Sequence, residues 1–352
     1  MIDFFHDLSF IIFIKQIKKR GDTMIVTIKN TAKLLTVLVL SFFFSLAANA
    51  KMKLDMPMAY SATNFHSQNG VFFADALRVA TGGEIDIKVH PGGSLFKGNE
   101  IKKAVQTGQA LIGERILSAH QNESAIFGTD SVPFIATSFE ESEKLYAAFE
   151  PEIRKVLNNQ GLELLYSVPW PPQGLYFKKE VKSVDDTKGV KFRSYNNATA
   201  KIAELMGMLP VQVEAAELSQ ALATGVAESF VSSGATGYDR KVWEHLTHFY
   251  EVNAWLPRNY VFMNKKAWDK LSKKDQNVIK GVAMLAQKAG TARSEQLTGW
   301  YMTQLAANGM KVQVAGDKLK GQLQEIGAKM ASDWEKAAGA TGQKILKAYK
   351  AK

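Results

Sequence analysis

Beyond residue 50 the chain alternates between two hydrophobic periods. Residues 53–60 (KLDMPMAY) read as a short strand. Over 64–80, Phe72, Ala76, Val79 and Ala80 fall at i, i+4, i+7 and i+8, the spacing of an amphipathic helix, and Gly82-Gly83 follows its end. Residues 84–90 alternate Ile85, Ile87 and Val89, a strand pattern closed by the turn Pro91-Gly92-Gly93. A short helix over 99–107 and an apolar strand over 110–116 follow. This β-α-β-α-β rhythm predicts a mostly parallel sheet with helices on both faces.

The second half repeats the rhythm. Strands are predicted at 190–192, 209–213 and 227–231, with helices at 197–206 and 217–224 closed by Gly207 and Gly225. Two α/β units in one chain suggest two lobes with a cleft between them. Pro169, Pro171 and Pro172 punctuate the midpoint, where a crossover between lobes would fall.

Ser272 with Asp275 resembles a capping box, and a helical pattern then runs over 273–308 to Gly309. At about 1.5 Å per residue it would be roughly 54 Å long, enough to lie along both lobes. Gly281, Gly290 and Gly299 interrupt the pattern and could bend the helix. Residues 310–314 alternate as a strand. Leu319, Leu323, Ile326, Met330 and Trp334 form one stripe of a last amphipathic helix.

The first 50 residues belong to a different kind of segment. Lys29 and Lys33 precede an apolar run over 34–47, too short to span a bilayer, and Ala48-Asn49-Ala50 follows it. This pattern predicts a signal peptide cleaved after Ala50, with a membrane anchor as the alternative reading. Residues 1–23 read as an upstream extension before Met24, or as a long basic leader region. Removing residues 1–50 takes away six Lys/Arg and three Asp/Glu and leaves a net charge of +7. Acids intersperse with the bases, so nucleic acid is not an expected partner, while a mild positive field suits anionic solutes. The absence of cysteine excludes disulfides, thiolate metal sites and a cysteine nucleophile.

Motifs for chemistry are missing: no Gly-x-Ser-x-Gly, no phosphate loop, no GxGxxG and no His-Glu-x-x-His. His245 and His248 are the only histidines close in sequence, and no third ligand is signalled, so no metal and no cofactor is expected. Glu140-Glu141 reads as helix-start charge, not as an acid/base pair. A binding site is better supported. Arg193 ends a strand and Asn196-Asn197 begins a helix, the place where open α/β sheets bind ligands and where helix N-termini favour anions. An arginine fork there can grip a carboxylate with two hydrogen bonds, or else pair with a surface acid. Trp170, Tyr176, Tyr195, Tyr238, Trp243 and Trp255 cluster near the predicted crossovers. Ser232-Ser233-Gly234-Ala235-Thr236-Gly237 follows a strand and reads either as a polar ligand-binding loop or as an ordinary turn.

Three segments in order resemble the solute-binding proteins of TRAP (tripartite ATP-independent periplasmic) transporters. They are Gly93-Ser94-Leu95-Phe96-Lys97-Gly98-Asn99-Glu100, Asp186-Thr187-Lys188-Gly189-Val190-Lys191-Phe192-Arg193, and the run over 217–228 (ELSQALATGVAE). The resemblance covers about 51–344. It implies a two-lobed α/β periplasmic-binding-protein-like fold with mixed sheets, an interlobe cleft and a long helix bridging both lobes. It implies that Arg193 is the carboxylate anchor and Asn196 a second ligand contact. The chain departs from the family at two places. Trp170-Pro171-Pro172-Gln173-Gly174 stands where some members carry another arginine, so that Gln173 takes its place with an amide, and Ser232-Ser233 stands where many members carry an asparagine. These departures favour a monocarboxylate, aromatic or hydroxylated, over a dicarboxylate. Phe65, Glu114 and Tyr238 are further pocket candidates, from loops expected to face the cleft.

The expectations are then specific. Lobe 1 is 51–173 plus about 259–290, and lobe 2 is 174–258 plus about 291–345. The chain is a monomeric periplasmic subunit, not an enzyme, that captures a small organic acid by hinge closure and delivers it to integral-membrane permease subunits. The alternatives are the binding protein of an ABC-type importer or a sensor, and a periplasmic hydrolase.

Overall fold

The computed structural model describes residues 52–351; the predicted signal peptide and its cleavage after Ala50 lie outside the described residues. Strands fall into two groups. In the first, β1 (Met52–Pro57) pairs in parallel with β2 (Ile85–His90). Beside them β3 (Ile112–Ile116) and β4 (Leu162–Pro169) flank β10 (Arg258–Asn264), which is antiparallel to both. The second group is one six-stranded sheet. It holds β5 (Gln173–Phe177), β6 (Lys191–Ser194), β7 (Leu209–Gln212), β8 (Ser229–Ser233), β9 (His248–Glu251) and β11 (Lys311–Val314). The order is β11-β9-β5-β8-β6-β7, with β5 antiparallel to β8 and β9 and the other pairs parallel.

The fold is therefore α/β with mixed sheets in two lobes. The mostly parallel sheet predicted for the first half does not form. Its third strand, β3, joins β10 instead, because β10 is buried along its whole length and must satisfy backbone groups on both edges. In the second lobe the sheet is covered on both faces. Leu175 and Phe177 enter one core with Phe192, while Tyr176 enters another with Phe230 and Phe249. A strand buried on both faces reads as a continuous apolar run, not an alternating one.

Helix α1 (Phe65–Ala80) is capped by Asn64, whose side chain accepts from the His66 amide. Its buried face differs from the stripe predicted for it. Phe72 is 40% and Val79 77% exposed, and the face turned inward is Asn69, Gly70, Phe73, Ala74 and Leu77. Phe73 and Leu77 supply the apolar bulk, and Gly70 admits the Met58 thioether against the helix backbone.

The chain crosses between lobes at 170–172 and again at 252–257. The two crossovers are bonded to each other: Trp170 N donates to Pro257 O at 2.7 Å, Gln173 N to Trp255 O at 2.9 Å, and Ala254 N to Gln173 O at 3.0 Å. Two helices also bridge. After α2 (Ile101–Thr107), α3 (Phe139–Asn159), α4 (Asn197–Leu205), α5 (Leu218–Ala223), α6 (Gly234–Asp239) and α7 (Lys265–Asp269) comes α8, Lys273–Ala307. Its start is fixed by Ser272 Oγ accepting from Asp275 N. It runs through Gly281, Gly290 and Gly299 without a break. Ile279, Ala283 and Ala286 lie in the core of lobe 1, and Leu305 lies in that of lobe 2. The last helix, α9 (Asp317–Lys350), begins on lobe 2 with Leu319 and Leu323 and ends on lobe 1 with Trp334 and Ile345. It is interrupted at Gly339, whose φ of 56° and ψ of −142° suit only glycine.

Candidate functional site

A cavity lies between the lobes, beside the paired crossovers, with Arg115, Trp170, Gln173, Arg193, Glu214 and Ser232 in its wall. Arg193 reaches it from β6, which lies between β7 and β8. The residue is only 2% exposed. Its Nε donates to Val213 O at 2.9 Å and its guanidinium stands 5.2 Å from the centre of the Tyr195 ring. Nη1 and Nη2 have no protein acceptor among the described residues, and no carboxylate reaches Arg193 within ion-pair distance. Burial pulls its pKa down to about 10, against the opposing pull of Tyr195 and Glu214, so the group stays charged at neutral pH. A buried cation of this kind is costly to hold and is relieved by an anion.

Tyr195 is held in place by a relay. Its hydroxyl donates to Gln173 Oε1 at 3.2 Å and accepts from Trp255 Nε1 at 3.2 Å, while Gln173 Nε2 donates to Pro171 O at 3.1 Å. Gln173 thus lines the cavity but spends both ends of its amide on the wall. Burial pushes the Tyr195 hydroxyl above its usual range, so it remains protonated. Opposite, Trp170 packs edge-on against Tyr60 at 4.7 Å and donates its indole N–H to Asn259 Oδ1 at 2.8 Å. Ser232 and Thr236 complete the polar lining, with Ser232 Oγ donating to Thr236 Oγ1 at 2.8 Å.

A second arginine, not anticipated from the sequence, enters from β3. Arg115 is 3% exposed and lines the same cavity. Its two terminal nitrogens grip Glu214 of the other lobe, at 2.9 and 3.1 Å. The pair runs over Gly98, where a Cβ would stand 2.6 Å from Arg115 Nη1 and 2.7 Å from Glu214 Oε2. Two other bonds tie the lobes: Asn196 Nδ2 to Ser118 Oγ at 2.9 Å and Asn64 Nδ2 to Asp239 Oδ2 at 2.6 Å.

Of the predicted residues, Arg193, Gln173, Trp170 and Ser232 come together in the cavity wall. Asn196 does not line it. Its side-chain oxygen caps α4 by accepting from Thr199 N, and its nitrogen binds across to Ser118. Ser232 and Ser233 are not in a loop: both belong to β8, and α6 follows immediately. The Ser233 carbonyl accepts from the buried Tyr176 hydroxyl at 3.0 Å. Phe65, Glu114 and Tyr238 stand on α1, β3 and α6, not on loops. Phe65 packs behind the wall against His66 and Trp170, at 4.1 and 5.3 Å between ring centres. Glu114 points to the opposite face of β3 from Arg115, toward His66 at 3.4 Å. Burial holds His66 below its usual pKa, against the pull of Glu114, and keeps the ring neutral at pH 7. Tyr238 lines a separate open hollow with Asp239, Trp300 and Tyr301. His245 and His248 are not on a helix: His248 opens β9 and His245 lies in the turn before it.

Among the described residues no helix is long and apolar enough to cross a membrane. The structure resembles that of a marine-metagenome TRAP solute-binding protein specific for pyroglutamate, at 58% identity and a TM-score of 0.85, covering 86% of this chain and 100% of the other. It also resembles a Bordetella pertussis extracytoplasmic solute receptor binding pyroglutamic acid, at 45% identity and a TM-score of 0.84, over 86% and 100% of the two chains. Among curated proteins, a monocarboxylate 2-oxoacid-binding periplasmic protein of a Nostoc species is 26% identical over 71% of each chain. The model of the bacterial extracellular solute-binding proteins, family 7, matches residues 58–339. With its two lobes, bridging helices and a cavity between the lobes, the chain belongs to that family, the solute-binding proteins of TRAP transporters.

Proposed function

We propose that this chain captures a small cyclic monocarboxylate of the pyroglutamate type in the periplasm. The observation that carries the reading is Arg193: a buried, charged guanidinium in the wall of the interlobe cavity, with both terminal nitrogens unclaimed among the described residues. A planar carboxylate would take those two nitrogens as a bidentate pair. Tyr60, Trp170 and Tyr195 supply flat walls for a small ring, and Ser232 and Thr236 supply hydroxyls for its polar edge. Pyroglutamate bound by the 58% and 45% identical structures has this chemistry.

Capture proceeds by hinge closure. The solute meets the open lobes, Arg193 fixes its carboxylate, and the lobes swing shut about the crossovers near Trp170 and Trp255. The closed form then docks on two integral-membrane permease subunits driven by an ion gradient. No bond of the solute is made or broken. The leader is removed after Ala50, so the periplasmic form begins at Lys51.

Isothermal titration of ligand-stripped protein tests the reading. L-Pyroglutamate is expected to bind with one site and to be recovered unchanged. A 2-oxo acid that binds at least ten times more tightly would move the ligand to that class. Recovery of a hydrolysed product would overturn the reading as a receptor.

A further inference from the structure

We propose that Glu214 is the charge filter of this site, making it select monoanions over dianions. The proposal rests on the carboxylate reading above and goes on to say what sets the number of carboxylates accepted. Three of the cavity-lining residues are charged: Arg115, Arg193 and Glu214. Glu214 takes both terminal nitrogens of Arg115, so one arginine is neutralised and the other is free. The wall thus offers a single uncompensated positive charge. Glu114 lies on the opposite face of β3, facing His66, and does not line the cavity, so it adds no further charge to the wall.

The geometry links this filter to closure. Arg115 belongs to lobe 1 and Glu214 to lobe 2, so their ion pair is complete only when the lobes meet. A monocarboxylate on Arg193 leaves that pair intact. The second carboxylate of a dianion could take Arg115 only by displacing Glu214, leaving a carboxylate without its partner next to an anion. If it did not take Arg115, it would be buried without a cation. Both outcomes are penalised, and discrimination of this kind comes from the unfavourable contact as much as the favourable one. The bare backbone of Gly98 under the pair leaves room for it in its two-pronged form. Arg115 Nε has no partner and is buried, so the guanidinium has further capacity for an acceptor once Glu214 is removed.

The test compares L-pyroglutamate with glutarate, a dicarboxylate of the same carbon count, by isothermal titration. Wild type is expected to bind the first and to discriminate against the second by at least about a hundredfold, two steps of ten in affinity. In Glu214→Gln the site gains a free cation, so glutarate is expected to tighten at least about tenfold while L-pyroglutamate weakens. Arg115→Met leaves the opposite imbalance, an unpaired Glu214, and L-pyroglutamate should fall further than in Glu214→Gln. Arg115→Met with Glu214→Gln removes both charges and should recover L-pyroglutamate binding relative to Arg115→Met alone. A pair that only clasps the lobes predicts something else: parallel losses for both acids in Glu214→Gln, and no recovery in the double variant. That result overturns the filter, as does a wild type that binds glutarate as tightly as L-pyroglutamate. If Glu214→Gln does not fold, the Arg115→Met and double variants still decide the question. A wild type that takes neither acid overturns the ligand class itself, which separates that failure from failure of the filter.

Discussion

Arg193 carries a full charge into a place that water scarcely reaches, and what holds it there is not an acid. A backbone carbonyl, Val213 O, and the face of Tyr195 do so. On the proposed reading the ligand is the missing counter-charge, and the fork shape matters as much as the sign. Arg193→Ala should weaken carboxylate binding by at least about 2 kcal/mol, roughly thirtyfold. Arg193→Lys keeps the charge but loses both the fork and the Nε bond to Val213, and should still lose about tenfold or more. Titration of both variants checks this; a lysine variant within twofold of wild type would sink the bidentate arrangement. At this scale the sequence was informative about one arginine and silent about the other. Arg193 sits where a strand ends and a helix begins, a position with known ligand chemistry. Arg115 sits inside Ile112–Ile116, a strand buried along its whole length, and its partner Glu214 comes from the other lobe. No local pattern marks a pair made by tertiary closure. Asn196 shows a related ambiguity: its side chain caps α4 and bonds Ser118, and a cap and a ligand contact want the same residue type at the same place.

The long helix α8 separates the two things glycine can do in a helix. Gly281 and Gly299 face open space, whereas a Cβ at Gly290 would stand 2.6 Å from Val168 Cγ2 and 2.9 Å from Asn69 Nδ2. Gly290 is thus where α8 lies against both α1 and β4. Alanine in place of Gly281 should stabilise the protein by about 0.5–1 kcal/mol through helix propensity. Gly290→Ala should destabilise it, because overpacking costs about 1–3 kcal/mol and Val168 is branched and enclosed. Urea unfolding of the two variants reads the opposite signs; a Gly290→Ala protein as stable as Gly281→Ala would refute the close packing. From sequence the three glycines look alike, because spacing shows that a side chain is missing and not what would meet it. Helices with caps and strong stripes were legible, as Ser272 on α8 and Leu319, Leu323, Met330 and Trp334 on α9 show. The pairing of β10 with β3 and β4 was not, since β10 is buried throughout, with no alternation to give its register, and its partners lie far off in the chain. The stripe on α1 was read one residue out of phase because Phe72 and Phe73 are adjacent and only packing chooses between them.

At the scale of the whole molecule, the lobe that holds β10 depends on a buried polar cluster that titrates. Arg258 is fully buried, with Nε on Ser167 Oγ at 2.7 Å, Nη1 on Glu143 at 2.9 Å, and the Tyr146 ring 4.1 Å away. Beside it Asp130 accepts from Arg258 N at 3.1 Å and from the Tyr260 hydroxyl at 2.6 Å. Burial pushes Asp130 up to about 6, against the pull of Tyr260, Ser131 and Arg258 toward lower values. In the unfolded chain it returns to about 3.9. Between these values the native state binds more protons than the unfolded state, so this group makes stability fall as pH rises. Its contribution is complete below about pH 4, declines through the window from 4 to 6, and is lost above it. The total is about 3 kcal/mol, with a slope of at most about 1.4 kcal/mol per pH unit. His66 and His120 are held below their usual pKa by burial, His120 at about 4, and they tilt stability the opposite way, His120 over the same window. The diagnostic quantity is therefore the difference between wild type and Asp130→Asn, measured by urea unfolding at pH 4, 5, 6 and 7. Relative to the variant, wild type should lose stability steadily from pH 4 to 6 and hold level from 6 to 7. Parallel curves across the whole range would mean that Asp130 is ionised throughout, with Arg258 and Tyr260 holding its charge in spite of burial.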